Sequence, residues 1–164
     1  MKLAELLTHK KDMEAAFQNL HQRLISGAKK YEGEEELDNT KKTLEDLIAC
    51  SRDLEQVRLM INGLNFKTSV NNEGSLQHLI FQRDTAKQLF AFLTNFVNNL
   101  ESRNNGYATV EKKFVRTFDP HEARKLRDNY ATEWRRLDLL IQQTNWQVEV
   151  PLKKEEPLTA EQPK

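Results

Sequence analysis

The sequence is short of the residues that staple, punctuate or span. It holds one cysteine, Cys50, in 164 residues, so no intrachain disulfide can form, and a reducing, cytoplasmic setting is expected. There are five glycines and four prolines, the first proline being Pro120. That scarcity excludes a collagen-like repeat and argues against a barrel built on many Gly/Pro turns. Neither sign of charge is in excess: Lys+Arg and Asp+Glu are 25 each, which gives no global attraction to nucleic acid or anionic lipid. The longest unbroken apolar run is the five residues Leu89–Leu93, against the roughly 20 a membrane-spanning helix needs. The opening Met1–Asp12 is too interrupted by charge to read as a signal peptide.

What is present points to long, charged, amphipathic helices. Leu3, Leu6, Met13, Phe17, Leu20, Leu24 and Tyr31 follow 3-4 spacing and predict a helix over 1–31, with Lys10 and Gly27 in the imperfect seam slots. Gly33 within Glu32–Glu36 offers a turn, and the acidic run suits the start of a second helix. That helix is expected over 37–66, with Leu44, Leu47, Leu54, Val57, Ile61 and Leu64 on its seam and Cys50 filling a gap. Residues 1–31 carry a balance of +3 and residues 32–66 a balance of −5. The two should therefore pair as an antiparallel hairpin, each exposed ion pair contributing only about 0.3–0.5 kcal/mol.

The stretch 67–76, with Asn71-Asn72-Glu73-Gly74, reads as a short β-hairpin. A third helix over 76–105 starts at Ser75 as N-cap. One face carries Leu79, Ala86, Phe90, Leu93, Val97 and Leu100, and a second carries Phe81, Leu89, Phe92 and Phe96. A helix apolar on two faces needs two neighbours, so Phe81, Leu89, Phe92 and Phe96 are the expected oligomer interface. Residues 107–118 alternate in a manner that suggests an extended segment able to join the hairpin. Asp119 as N-cap, Pro120 at the first helical position and Glu122 open a fourth helix to about 143. Trp146, Val148 and Val150 suggest a brief strap, and 151–164, rich in proline and charge, is expected to be disordered. The expected fold is mainly α: a single helical domain over 1–150, a four-helix coiled-coil arrangement with a two- to three-stranded sheet element.

No residue pattern names a reaction. A di-iron bundle needs Glu three residues before His, but Leu6, Gln18, Ser75 and Phe118 precede His9, His21, His78 and His121 at that spacing. No Gly-rich phosphate loop or nucleophile elbow occurs, and no cofactor or metal is expected. Three sets remain as candidates. Lys112, Lys113, Arg116, Arg124 and Lys125 mix base with aromatic as single-strand nucleic-acid surfaces do, although Glu111, Asp119, Glu122 and Asp128 dilute them. Asn62, Asn65, Tyr107 and Glu111 sketch a polar pocket, with helix capping and turn formation the competing role for asparagines here. Lys10, Ser51, Arg58 and Arg83 fall at seam-like positions, where they either fix register or rotate to the surface.

Met1-Lys2-Leu3-Ala4-Glu5, Glu32-Gly33-Glu34 and Ile61-Asn62-x-x-Asn65 resemble the septicolysin-like family of bacterial helical proteins. So do Arg83-Asp84, Arg103 with Tyr107, Glu111 and Lys113, and Leu137-Asp138 with Asn145-Trp146. Where that family has Arg-Tyr-Ser-Arg-Ser-Glu-Ile-Lys, this chain has Gly106 to Lys113 without the two arginines and two serines. The resemblance implies a helical fold over about 1–150 and a bacterial origin. Its name implies a membrane-active cytolysin and supplies no catalytic residue. The residues themselves favour a non-enzymatic, self-associating protein, a dimer or larger, with RNA or another anionic partner as the alternative.

Overall fold

A computed structural model describes residues 1–29, 31–32, 39–102 and 115–151. The fold is mainly α, with four helices and a small two-stranded antiparallel sheet among the described residues. Helix α1 spans Leu3–Gly27, α2 Thr40–Lys67, α3 Leu76–Glu101 and α4 Pro120–Gln147, with strands β1 (Ser69–Val70) and β2 (Gly74–Ser75) between α2 and α3. The chain divides into two compact units. One holds Met1–Leu64 and the chain from Asn145 onward, the other Asn65–Thr144.

In the first unit α1 and α2 run antiparallel. The Thr40 hydroxyl donates to the Gly27 carbonyl at 3.3 Å, the Cys50 thiol to the Met13 carbonyl at 3.8 Å, and Arg58 Nη2 to Glu14 Oε1 at 2.8 Å. The start of α1 is well tied. Glu5 accepts from the Lys2 backbone N–H at 2.7 Å, and the Leu3 N–H, an orphan donor of the first turn, reaches the Val148 carbonyl at 3.0 Å. Val150 N–H donates to the Met1 carbonyl at 2.9 Å, so the expected strap is a short antiparallel bridge against residues 1–3. It covers Leu3, which is fully buried, and Val150 is buried with it.

Helix α1 stops at Gly27, short of the seam spacing that extends to Tyr31. Ser26 and Gly27 are weak helix formers, and the Thr40 hydroxyl satisfies the freed carbonyl. Tyr31 accordingly lies 80 % exposed. Asn39 caps α2: its side chain accepts from the Lys42 N–H at 3.0 Å while its carbonyl accepts from the Thr43 N–H at 2.9 Å. The acidic run Glu34–Glu36 lies outside the described residues. Leu54 and Ile61 are buried at the inner face of α2, while Met13, Phe17, Leu20 and Leu24 of α1 are half-buried.

In the second unit the hairpin pairs Ser69 with Ser75 and Val70 with Gly74. Asn71 and Asn72 both take positive φ, 40° and 62°, and Glu73 N–H closes the turn on the Val70 carbonyl at 2.8 Å. Asparagine tolerates that left-handed backbone better than other L-residues. Gly74 follows at φ +117°, a conformation that a side chain disfavours. The two strands are the only sheet among the described residues. Of the extended segment expected over 107–118, residues 107–114 lie outside them, and 115–118 form no strand.

Ser75 caps α3 as expected, accepting from His78 N–H at 3.2 Å. Leu76, Leu79, Ala86, Leu93 and Val97 form its buried face. Asp119 caps α4 by accepting from the His121 N–H at 2.9 Å, with Pro120 at the first helical position. Ala123, Ala131, Leu137 and Ile141 are buried on α4. The helix continues beyond the expected 143 to Gln147, since Thr144 and Asn145 are also buried. No buried side-chain nitrogen or oxygen among the described residues lacks a partner.

Candidate functional site

Helix α3 leaves two large aromatic side chains outside its packed face. Its buried face is filled, yet Phe81 and Phe92, about 150° round the helix from it at 100° per residue, remain 60 % and 64 % exposed. Leu89 and Phe96 on the same second face are half-buried. Phe92 stacks on Phe96 with centroids 6.3 Å apart and planes 4° from parallel. Phe96 meets Phe118 edge-on at 5.7 Å. The structure thus groups Phe92, Phe96 and Phe118 into one solvent-facing aromatic cluster, with Leu89 adjoining. Phe81 sits three turns away, about 16 Å along the axis. Phe118 was not legible as part of this face, because it lies beyond the helix in sequence.

A second unused stripe was missed. Leu44, Ile48 and Leu59 on α2 are 44 %, 46 % and 58 % exposed. Leu44, expected on the inner seam, is displaced from it by Thr43, which is 5 % exposed. One residue is 100° of rotation, and hydrophobicity alone picked the wrong neighbour.

The cationic set does not assemble as a free patch. Lys112 and Lys113 lie outside the described residues. Arg116 Nε donates to the Leu100 carbonyl at 3.0 Å. Arg124 forms an ion pair with Glu101, its Nε at 2.6 Å from Oε1. Lys125 is exposed. Of the polar-pocket residues, Tyr107 and Glu111 lie outside the described residues, Asn62 is exposed and Asn65 is buried. Among the seam-like polar residues, Ser51 and Arg58 turn to the surface, Lys10 is half-buried, and Arg83 is half-buried between Asp84 at 2.7 Å and Asp138 at 3.5 Å.

The electrostatics are those of surface latches. Hydrogen bonding from Arg58, opposed by desolvation and aided by Lys10, holds the Glu14 carboxyl below its ordinary value. Arg136 does the same for Glu133, and Lys2 for Glu149. Arg136 also grips Glu73 with both nitrogens at 2.9 and 3.0 Å, tying the hairpin turn to α4, and the two carboxylates raise its own pKa. Beside the Glu14–Arg58 pair a groove of about 340 Å³ opens onto Phe17, Gln18, Ser51 and Leu54. Its one cation is already neutralised. No group of three or more His, Cys, Asp or Glu among the described residues is arranged to hold a metal ion.

The sequence matches the family of unknown function DUF6847 over residues 10–150. The chain belongs to this family. The DUF6847 fold is also seen in the crystal structure of a functionally unknown conserved protein from Corynebacterium diphtheriae. The two are 30 % identical and superpose with a TM-score of 0.85 over 92 % of this chain and 99 % of that one. No curated protein matches the chain. Membership of DUF6847 replaces the septicolysin-like relationship suggested by short motifs. Of those motifs, Arg83-Asp84 is a local ion pair within α3 and Asn145 a buried polar group near the end of α4, while Gly33, Glu34, Arg103, Tyr107, Glu111 and Lys113 lie outside the described residues. The cytolysin reading goes with the name. No helix among the described residues is long and apolar enough to cross a membrane.

Proposed function

We propose that this DUF6847 protein is a non-enzymatic interaction protein of the cytoplasm that self-associates through the second face of α3. The observation that carries this reading is the cluster of Phe92, Phe96 and Phe118, with Phe92 64 % exposed although the opposite stripe of the same helix is fully buried. Contiguous aromatic surface of this kind marks interaction sites, whereas single exposed apolar residues are ordinary. Rings already held against one another, Phe92 parallel to Phe96 and Phe118 edge-on to it, also lose little side-chain freedom on docking. A twofold arrangement would set the same face of one copy against that of another, which suits a patch without charge on its rings. The lone Cys50, half-buried with its thiol directed at the Met13 carbonyl, suits a reducing compartment.

The test is light-scattering mass on a sizing column, across micromolar concentrations at low and high salt. The expected result is a discrete dimer or larger assembly whose mass holds or rises with salt, because apolar burial is not screened. A monomeric mass throughout would overturn the reading.

A further inference from the structure

Along the seam between α3 and α4, charges are matched across the helices at both ends. Arg83 meets Asp138 at one end, and Glu101 meets Arg124 at the other. Between them the match fails. Residues 85–100 of α3 contain no Asp or Glu, and their one charge is Lys87. Facing this stretch, α4 presents Arg127 and Arg135 at the rim of a groove of about 340 Å³, floored by Phe90 and Ala131 and edged by Thr94 and Thr132. That volume is in the range of small-molecule sites, roughly 300–1,000 Å³.

We propose that this groove is a binding site for a small organic anion, a phosphate ester or carboxylate carried on a flat apolar body. Arg135 makes no ion pair or hydrogen bond among the described residues, although the other described arginines of this unit, Arg83, Arg116, Arg124, Arg127 and Arg136, are all engaged. Arg127 spends Nε and Nη2 on Asp128, at 2.9 and 2.7 Å, and keeps Nη1 without a partner among the described residues. Lys87 adds positive potential from the other helix, its Nζ 5.6 Å from the Trp134 ring centroid. Two guanidiniums therefore line the groove against the single carboxylate of Asp128. Guanidinium forks suit planar carboxylates and phosphates.

The remaining lining selects the body of the ligand. Phe90 offers a half-buried ring that is itself propped by Trp134, 5.8 Å away. The hydroxyls of Thr94 and Thr132 donate to the Phe90 and Asp128 carbonyls at 2.8 and 3.0 Å. Their oxygens are left as acceptors, for a hydroxyl or amino group on the ligand. The site uses different residues from the α3 aromatic face and stands or falls independently of self-association.

The experiment titrates the full chain with phenyl phosphate and with benzoate, following the Trp134 indole N–H by NMR, assigned with Trp134→Phe. Benzyl alcohol and inorganic phosphate serve as comparisons. The expected result is a saturable shift with at least one aromatic anion, with Kd below about 1 mM, and the tighter of the two names the headgroup. Benzyl alcohol and inorganic phosphate bind at least about tenfold more weakly. Arg135→Gln and Arg127→Gln each weaken the aromatic anion by about tenfold or more, while Arg116→Gln and Phe92→Asp leave it unchanged. Arg135→Gln removes no contact of the fold, so its effect reads binding alone. No saturable shift, equal binding of the neutral alcohol or of bare phosphate, or unaltered affinity in Arg135→Gln would each overturn the proposal.

Discussion

Replacing Phe92 with Asp separates association from folding. The ring is 64 % exposed, and a phenylalanine buries about 150–250 Å² when fully covered. About 130 Å² per copy is thus available to a partner, or about 260 Å² for two copies across a twofold axis. At about 25 cal/mol per Å² this is about 6 kcal/mol of gross apolar transfer. Only part survives the costs of association. If one third survives, about 2 kcal/mol, the dissociation constant rises about 30-fold on losing the ring. The aspartate adds two charges that would face each other at the centre of the interface. Folding loses less: the stack on Phe96 is worth about 0.5–1.5 kcal/mol. For a chain of this size that is about 2–6 °C in Tm. Light scattering across concentration, with a thermal melt by circular dichroism on the same sample, reads both quantities. Phe66→Asp is the control, since Phe66 is equally exposed at 66 % but lies on α2 away from the cluster. A Phe92→Asp protein with wild-type mass, or a Phe66→Asp protein dissociated to the same degree, would refute the reasoning.

Leu79, fully buried on the inner face of α3, should cost about 2.7–5 kcal/mol as Leu79→Ala, visible as a lower urea midpoint. Asp119→Ala removes the α4 cap and should cost about 1 kcal/mol, with Asp119→Asn recovering most of it in the same urea assay. Gly74→Ala should destabilise, because φ is +117° and the new Cβ would lie 3.2 Å from His78 Cδ2; a Tm equal to wild type would contradict this. Glu14, Glu133 and Glu149 all have folded pKa values below the ordinary 4.5. Their contribution is therefore fully present above that value and is lost as pH falls through the lower folded values. Tm should decline on acidification from pH 5 to pH 3, less steeply in Glu133→Gln, and a flat profile would show that the latches do not stabilise the fold.

The helices were legible because their signals are local. Ser75 and Asp119 combine a side-chain acceptor with the right neighbours, and each starts its helix where expected. The end of α1 was not legible from seam spacing, which carries on to Tyr31, whereas Ser26-Gly27 and a hydroxyl from Thr40 decide the stop. The second face of α3 could be read because Phe81, Leu89, Phe92 and Phe96 repeat at helical spacing. Its union with Phe118 could not, as that depends on how the chain returns into α4. The latch between Arg136 and Glu73 spans 63 positions and leaves no periodic trace. The α3–α4 groove was equally hidden. The absence of acids over 85–100 is visible in the sequence, but it gains meaning only once Arg127 and Arg135 are seen to face it.

The contact between Cys50 and Met13 turns the chain's one thiol into a reporter. A half-buried sulfur on the α1–α2 seam is shielded in part by α1, so parting of the seam should raise its rate with a disulfide reagent. The slowing relative to a free thiol sets a lower bound on the free energy of local opening.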